Sequence, residues 1–245
     1  MPVSLSIVIP AYNEEKRLPA TLDRVREYLS TSQDPDWECI VVDDGSKDGT
    51  ADFVNRTSAT ERRIRLVKNP GNRGKGYAVR NGMLSAQGAW RLFSDADLSA
   101  PIEELPKLQK AAEYNGAVIA LGSRALDRSL VSVHQSPFRE YSGRFFNLAM
   151  RTLTGLPFMD TQCGFKLYRA DAAQKVFERQ IEEGFSFDVE DLVIAQCLAL
   201  KMVEVPVRWA NVEGTKVSAW SGAKSFIDLV SIRGRALRGR YDCPD

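Results

Sequence analysis

The chain has 245 residues, a mass of 27.3 kDa and a formal net charge of +1, with 33 Lys and Arg against 32 Asp and Glu. Its content of 44% hydrophobic and 27% charged residues is typical of a folded globular domain and excludes a disordered chain. The balanced charge offers no electrostatic argument for nucleic-acid binding, so we expect no nucleic-acid partner.

Short β-branched runs alternate with amphipathic stretches through the first hundred residues. They predict strands at residues 5–9, 38–43, 64–67 and 90–93, with helices between them at residues 14–29, 48–55 and 76–86. Strands separated by helices imply parallel βαβ units with right-handed crossovers. The first half of the chain therefore predicts an α/β fold built on a mostly parallel sheet.

The second half has a more mixed pattern, which predicts strands at residues 116–122 and 202–207 and helices at residues 139–153, 188–200 and 223–240.

No apolar run approaches the roughly 18 residues of a membrane span, and the N-terminal run lacks the basic flank of a signal peptide. The four cysteines form no CxxC pair, and their spacing favours buried thiols of a reducing compartment. We therefore expect a cytoplasmic protein that is not integral to a membrane.

Polar clusters come directly after three of the predicted strands, at residues 10–14, 43–46 and 95–97. In open parallel sheets, ligands bind beyond the carboxyl ends of the strands. These clusters are therefore expected to line one binding site.

Asp95 and Asp97 form a pair of carboxylates one residue apart at a strand end. In extended backbone, residues i and i+2 lie on the same side, so both carboxylates can converge on one cation. Mg²⁺ and Mn²⁺ are hard ions that prefer such oxygen ligands. The alternative is a solvated acidic turn without a ligand.

Asp43 and Asp44 follow the second predicted strand, where they can accept hydrogen bonds from a nucleobase or a ribose. The alternative is a turn in which Ser46 or Asp48 caps the next helix.

The Gly-rich loop at residues 69–76 opens a helix and suits a diphosphate, although it matches neither nucleotide-binding glycine motif. With a single histidine, His134, hydrolysis by a histidine base is poorly supported.

Five segments occur in an order that resembles one family. They are Ile-Val-Ile-Pro-Ala-Tyr-Asn-Glu-Glu at 7–15, Val-Val-Asp-Asp-Gly-Ser-Lys-Asp-Gly-Thr at 41–50, Asn-Arg-Gly-Lys-Gly at 72–76, Ser-Asp-Ala-Asp-Leu-Ser at 94–99 and Asp-Thr-Gln-Cys-Gly-Phe-Lys-Leu-Tyr at 160–168. The chain resembles the family 2 inverting glycosyltransferases of GT-A fold, and within them the dolichyl-phosphate β-glucosyltransferase branch, next to dolichyl-phosphate mannose synthase. The resemblance implies a Rossmann-like GT-A catalytic domain over residues 1–210 and a C-terminal segment, 211–245, that faces the acceptor or a membrane.

This resemblance also assigns roles to individual residues. Those assigned to the nucleotide are Pro10, Ala11, Tyr12, Glu14, Asp43, Asp44, Lys75, Asp95 and Ala96. Those assigned to Mg²⁺ or Mn²⁺ at the donor diphosphate are Asp95 and Asp97, and those assigned to phosphate and the acceptor are Arg124, Arg139 and Lys216. Asp160 and Gln162 lie in a motif of this branch near the donor sugar or acceptor. Ser99 departs from the pattern, because mannose synthases often carry a metal-binding Gln at that place.

The implied reaction transfers glucose from UDP-glucose to a polyprenyl phosphate lipid. A lipid phosphate is already anionic, so positioning by cations is enough, whereas a hydroxyl acceptor needs a carboxylate base. Asp188, Glu190 and Asp191 are candidates for that base, and the alternative is an acidic helix start without catalytic function. The predicted catalytic residues are thus Asp97, Arg124, Asp160, Gln162 and Asp188.

The C-terminal helix carries four arginines within residues 233–240 beside an apolar stripe that includes Ile227, Val230 and Leu237. This pattern predicts a peripheral membrane surface over residues 223–240, on the cytoplasmic face of a membrane. The alternative is a packing helix with a solvated basic face. For the function as a whole, the alternatives are a GDP-mannose donor, a glycan hydroxyl acceptor, and a sugar-nucleotide binding protein without catalysis.

Overall fold

The computed structural model describes residues 3–31, 36–133, 150–211 and 220–242. The strands are β1 (Leu5–Ala11), β2 (Trp37–Asp43), β3 (Ile64–Lys68), β4 (Trp90–Ser94), β5 (Ile119–Ser123), β6 (Val131–Val133), β7 (Phe165–Arg169), β8 (Met202–Pro206) and β9 (Trp209–Ala210). The α-helices are α1 (Leu18–Thr31), α2 (Thr50–Thr60), α3 (Lys75–Ser85), α4 (Leu105–Asn115), α5 (Ala170–Arg179), α6 (Phe187–Cys197) and α7 (Trp220–Leu237), with 3₁₀ turns at Ile102–Glu104 and Arg128–Leu130.

A seven-stranded sheet in the order β3-β2-β1-β4-β7-β5-β8 forms the centre of the molecule. Its neighbouring strands are parallel except around β7, which runs antiparallel to both β4 and β5. β6 and β9 pair separately. The prediction of a mostly parallel sheet with flanking helices is confirmed, whereas β7, α4 and α5 are elements that the sequence pattern did not predict.

Most predicted bounds lie within a few residues of the observed ones. β5 begins at Ile119 and not at Gly116, because Gly116 has a left-handed backbone with φ 59° and ends α4. α1 begins at Leu18, because residues 14–17 form a turn in which the Glu14 carbonyl accepts hydrogen bonds from Arg17 and Leu18. Of the helix predicted at 139–153, most lies outside the described residues.

Helices cover both faces of the sheet, and the sheet residues alternate between two apolar clusters. Ile7 and Ile9 of β1 pack in the cluster that also holds residues of α1 and α4, whereas Val8 packs in the cluster with α3, α5 and α6. This alternation is what a strand buried on both faces requires. The second of these clusters also contains Leu229 and Ile232 of α7, so the C-terminal helix is part of the core.

Cys39 and Cys163 are buried free thiols, as expected, but Cys197 is disulfide-bonded, so the prediction of scattered thiols is wrong at that position. In the part of the chain that the structure describes, no helix combines the length and the apolar character needed to cross a bilayer.

Candidate active site at the carboxyl ends of the strands

The strand directions bring the predicted site residues to one edge of the sheet. β1, β2 and β4 are parallel, so the segments after Ala11, Asp43 and Ser94 lie at the same edge. Because β7 is antiparallel to both β4 and β5, β5 also runs parallel to β4 and delivers Arg124 to that edge. The amino end of β7 arrives there too, since Phe165 pairs with Ser94.

Asp95 lies against the chain that enters β7. Its N–H donates to the carbonyl of Gly164 at 3.1 Å. A Cβ on Gly164 would collide with the Asp95 carboxylate. Position 164 must therefore lack a side chain for Asp95 to keep its place, which gives the glycine of the segment at 160–168 a physical role.

Lys75, the first residue of α3, forms an ion pair with Asp95 at 2.7 Å between Nζ and Oδ1. Its ammonium group also lies 5.3 to 6.0 Å from the ring centroids of Phe93, Phe185 and Phe187. Burial opposes the charged form of Lys75, but the carboxylates of Asp95 and Asp188 outweigh it and raise the pKa of Lys75.

The surroundings of Asp95 oppose its ionisation. Burial raises the pKa of Asp95 in spite of Lys75, and the nearby carboxylates of Asp97 and Asp188 act in the same direction as burial. A divalent cation would favour the ionised form of Asp95, and carboxylate oxygens are the hard ligands that such an ion prefers. Among the described residues no three His, Cys, Asp or Glu side chains form a ready-made metal cluster, so Asp95 and Asp97 would need substrate oxygens as further ligands.

The turn after β4 holds the second carboxylate in place. Asp97 Oδ1 accepts a hydrogen bond from the Ser99 N–H at 2.9 Å, so Ser99 supports the pair through its backbone. Ala96 is buried, and its carbonyl accepts a hydrogen bond from the Thr21 hydroxyl of α1 at 2.6 Å. The Asp-Ala-Asp turn is thus attached to α1 as well as to β4.

The carboxylate of Asp44 holds the Gly-rich loop that leads into α3. It accepts hydrogen bonds from the Asn69 amide at 2.7 Å and from the backbone N–H groups of Arg73 and Gly74 at 3.1 and 2.8 Å. Asp43, also buried, accepts from the Ser46 N–H at 3.1 Å. Both carboxylates therefore organise turns, and their predicted contact with the nucleotide stays a prediction.

The segment after β1 is joined to the segment after β2 by several hydrogen bonds. The Asn13 N–H donates to the Ser46 hydroxyl at 2.9 Å, and the Glu14 N–H donates to the Thr50 hydroxyl at 2.8 Å. Asp48 Oδ1 accepts from the Thr50 N–H at 3.0 Å, but Gly49 occupies the N-cap of α2 and makes no side-chain cap, so the prediction of a Ser46 or Asp48 cap is wrong. Pro10 and Ala11 belong to β1 itself, and Tyr12 follows them half-buried at the same edge.

Arg124, next to the end of β5, forms a bidentate ion pair with Asp160. Its Nε and Nη2 donate at 2.6 and 2.8 Å, and its backbone N–H donates to the same carboxylate at 3.0 Å. Burial would raise the pKa of Asp160, but the charge and hydrogen bonds of Arg124 lower it. Asp160 is therefore a buried carboxylate that fixes the orientation of Arg124. Gln162 donates its backbone N–H to Asp160 at 3.2 Å, and its side chain is exposed.

The three carboxylates at the start of α6 have different surroundings. Glu190 and Asp191 are fully buried, whereas Asp188 keeps 4% exposure and lies close enough to Lys75, Asp95 and Arg124 to act on their pKa values. Of the three candidates, Asp188 is thus the one beside the predicted metal pair and the predicted phosphate-binding arginine.

Lys166 is a site residue that the sequence interpretation missed. Its buried ammonium donates to Asp188 Oδ1 at 2.6 Å, to the Asp188 carbonyl at 2.9 Å and to Asp191 Oδ2 at 3.3 Å. Burial raises the pKa of Asp191 to about 7, and Asp188 adds to that effect. A lysine inside an otherwise apolar strand must have a buried partner, and the Phe-Lys-Leu-Tyr pattern was the signal that could have revealed it.

Arg139, Lys216 and His134 lie outside the described residues, so their predicted positions are not tested.

The comparisons with known proteins agree with this geometry. Residues 6–177 match the family described as Glycosyl transferase family 2. The chain is 40% identical over 253 residues to dolichyl-phosphate beta-glucosyltransferase from Homo sapiens, covering 97% of this chain and 77% of the relative. It is 39% identical over 239 residues to dolichyl-phosphate beta-glucosyltransferase ALG5C from Trichomonas vaginalis, covering 94% and 71%.

A similar fold occurs in the crystal structure of glucosyl-3-phosphoglycerate synthase from Mycobacterium tuberculosis in complex with Mn²⁺ and UDP-glucose. The TM-score is 0.63 at 19% identity, and the match covers 99% of this chain and 80% of that chain.

We expect Gly164→Ala to displace the Asp95 carboxylate while leaving the fold intact, because the colliding atoms belong to a side chain that can move. Titration calorimetry with Mn²⁺ in the presence of UDP should show binding at least about tenfold weaker than in the wild type. Gly234→Ala, at a helical glycine with open space around it, is the control that should bind as the wild type does. Unchanged Mn²⁺ binding in Gly164→Ala would contradict the assignment.

We expect Asp160→Asn to lower the free energy of unfolding at neutral pH by about 1–3 kcal/mol, since the half-buried Arg124 loses its charged partner. The folded-state pKa of Asp160 is lowered, so its stabilisation is present above the unfolded value of about 3.9 and is lost as pH falls through the folded value. Urea unfolding at a series of pH values should therefore show the two proteins converging below about pH 4. A difference that is constant with pH would be inconsistent with an ionic role.

Proposed function

We propose, from the premise that the chain belongs to glycosyl transferase family 2 and is a glycosyltransferase, that it transfers glucose from UDP-glucose to the phosphate of a dolichyl-type polyprenyl lipid with inversion. The observation that carries this proposal is the similarity over nearly the whole chain to relatives named dolichyl-phosphate beta-glucosyltransferase, at 39–40% identity in organisms as distant as Trichomonas vaginalis and Homo sapiens. A similarity of that extent includes both the donor half and the acceptor half of the chain.

The donor side is formed by the segments after β1, β2 and β4 and by the start of α3. Tyr12, Glu14, Asp43 and Asp44 are the residues that would hold the nucleoside. Asp95 and Asp97 are the residues that would hold a divalent cation, Mg²⁺ or Mn²⁺. Bound there, such a cation stabilises the charge that develops on the diphosphate leaving group. The mycobacterial protein with the same fold was crystallised with Mn²⁺ and UDP-glucose, which makes both a sensible choice for the first assay.

In the proposed reaction an oxygen of the lipid phosphate forms a bond to C1 of glucose as the bond between C1 and the β-phosphate oxygen breaks. The electron pair leaves with UDP, and attack from the opposite face inverts C1. Lys75 is placed to stabilise the departing diphosphate and Arg124 to orient the anionic acceptor. Arg124 keeps 31% of its side chain exposed although Asp160 fixes its orientation, so it can contact a ligand without reorganising.

The position of Asp188 bears on the alternative acceptor. Asp188 lies near both Lys75 and Arg124, where a carboxylate base for a glycan hydroxyl would be needed. Its ion pair with Lys166 equally fits a purely orienting role beside a lipid phosphate. The acceptor assay therefore decides between these two roles of Asp188.

The experiment that tests the proposal offers radiolabelled UDP-glucose or GDP-mannose to polyprenyl phosphate, with Mn²⁺, with Mg²⁺ and with EDTA. We expect label in the lipid phase from UDP-glucose, abolished by EDTA. Asp97→Asn should reduce kcat by roughly 100-fold or more, because a ligand of the proposed cation is lost. Label in the lipid phase from GDP-mannose would mean a different donor, and no lipid label from either donor would contradict a lipid phosphate as the acceptor.

The outer surface of α7 supports a peripheral position on the cytoplasmic face of a membrane. Ile227, Val230 and Leu237 are 69%, 61% and 70% exposed, while Leu229 and Ile232 on the other side are buried. Three exposed arginines stand beside the apolar residues, at positions 233, 238 and 240. Exposed apolar side chains on α7, with basic side chains on the helix and directly after it, suit the surface of an anionic bilayer, where the acceptor lipid resides.

Val230→Ser combined with Leu237→Ser should weaken binding to anionic vesicles by up to about 100-fold, since two apolar side chains of this size contribute roughly 3 kcal/mol when fully inserted. The measurement is co-sedimentation with phosphatidylcholine vesicles that contain phosphatidylglycerol. Tyr114→Ser, at a 91% exposed position on α4, is the control expected to sediment as the wild type does. Equal sedimentation of the double variant and the wild type would exclude this face as the docking surface.

A further inference from the structure

Glu190 is a buried carboxylate that joins three separate parts of the chain. On α6 itself it is fully buried. Its Oε2 accepts hydrogen bonds from the backbone N–H groups of Ile181 and Glu182 at 2.9 and 2.6 Å. Its Oε1 accepts from Arg235 at 3.1 Å and from the Tyr241 hydroxyl at 2.5 Å. Within the described residues these four hydrogen bonds hold other segments of the chain, which favours a structural role for Glu190 over that of a base.

The segment that Glu190 holds on one side surrounds the beginning of α3. The Tyr77 N–H donates to the Glu183 carbonyl at 3.2 Å, and the Gln180 amide donates to the carbonyls of Gly76 and Glu182 at 3.0 and 2.8 Å. Cβ atoms on Gly74 or Gly76 would collide with backbone carbonyls of residues 182–184. The two segments are therefore in direct backbone contact on both sides of Lys75.

The segment that Glu190 holds on the other side is the end of the chain. Arg235 bridges Glu190 and Glu182, since its Nη1 also lies 2.7 Å from Glu182 Oε1. Burial opposes the charged form of Arg235, but its hydrogen bonds with Tyr241 and Glu182 outweigh burial and raise the pKa of Arg235. Tyr241 is fully buried, which fixes the direction of its hydroxyl.

We propose that Glu190 is a positioning residue of the donor site. Its hydrogen bonds with Arg235 and Tyr241 connect the C-terminal part of the chain to the start of α3, where Lys75 lies. The connection runs from α7 through Glu190 to the backbone of residues 181–184, and from there to the start of α3. Lys75 then reaches Asp95 from a fixed helix terminus. The functional part of this inference rests on the proposed function, in which Lys75 and the loop before it bind the donor diphosphate.

The test compares two variants, each of which lacks a tyrosine hydroxyl that donates a hydrogen bond to a buried carboxylate of α6. Tyr241→Phe removes the donor to Glu190. Tyr168→Phe removes the donor to Asp191, one residue further along the same helix, where it bonds to Oδ2 at 2.5 Å. Glu190→Gln is the larger change at the proposed position. Hydrogen exchange of the amides of residues 74–78 is measured on the full chain without nucleotide.

We expect exchange at the Tyr77 amide to become about tenfold faster in Tyr241→Phe and to stay unchanged in Tyr168→Phe. Glu190→Gln should show a larger increase, and if it does not fold, the two tyrosine variants decide. Exchange that is unchanged in Tyr241→Phe, or that rises equally in Tyr168→Phe, would overturn the proposal. The second result would mean that the effect is a general loss of stability.

The same proteins are then titrated with UDP and, separately, with GDP in the presence of Mn²⁺. For the nucleotide that the wild type binds, Tyr241→Phe should weaken the affinity by about three- to tenfold. The KM for the acceptor should stay within about twofold of the wild-type value. Faster exchange with no loss of nucleotide affinity would refute the link to the donor site. If the wild type binds neither nucleotide, the proposed function fails, whereas the exchange result still decides whether Glu190 supports α3.

Discussion

The site depends on one electrostatic constraint, which is that a carboxylate withdrawn from water is stable in its ionised form only beside a cation. Burial of an unpaired carboxylate is so unfavourable that it normally takes up a proton instead. Here Asp95 faces Lys75, Asp160 faces Arg124 and Asp188 faces Lys166, at 2.6 to 2.7 Å in each pair. These pairs come from different strands and helices, so the charge balance exists only after the whole sheet has formed.

The antiparallel strand β7 is the part of the fold that makes this balance possible. It lies between β4 and β5 and therefore separates the strand that carries Asp95 from the strand that carries Arg124. At its entry, Gly164 leaves room for Asp95, and within the strand Lys166 reaches the start of α6. A continuous parallel sheet would place β4 directly beside β5 and would leave Asp188 and Asp191 without their lysine.

The sequence alone was sufficient for the βαβ half of the molecule, because buried parallel strands and amphipathic helices have distinct local patterns. It was not sufficient for β7, a five-residue strand whose second residue is a lysine with partners more than 20 residues further along the chain. The residue types of the site were visible as motifs, but their contacts were not. Asp160 was expected near a substrate, and the structure shows it in an ion pair with Arg124. Glu190 was a candidate base, and the structure shows it accepting hydrogen bonds from the backbone of residues 181 and 182. Such roles depend on which donors surround a carboxylate, and that information is not local.

One side of α7 is buried and the other is exposed, and this difference has an evolutionary consequence. The helix is 18 residues long, and buried positions such as Leu229, Ile232 and Ala236 alternate along it with exposed ones such as Val230 and Leu237. The buried set is constrained by packing, whereas the exposed set is free to follow the composition of whatever surface it meets. Tolerance to substitution should therefore vary along this helix with a period of about 3.6 residues. The chain can adapt its outer face to a new environment by drift at a few codons, without disturbing the inner face that stabilises the enzyme.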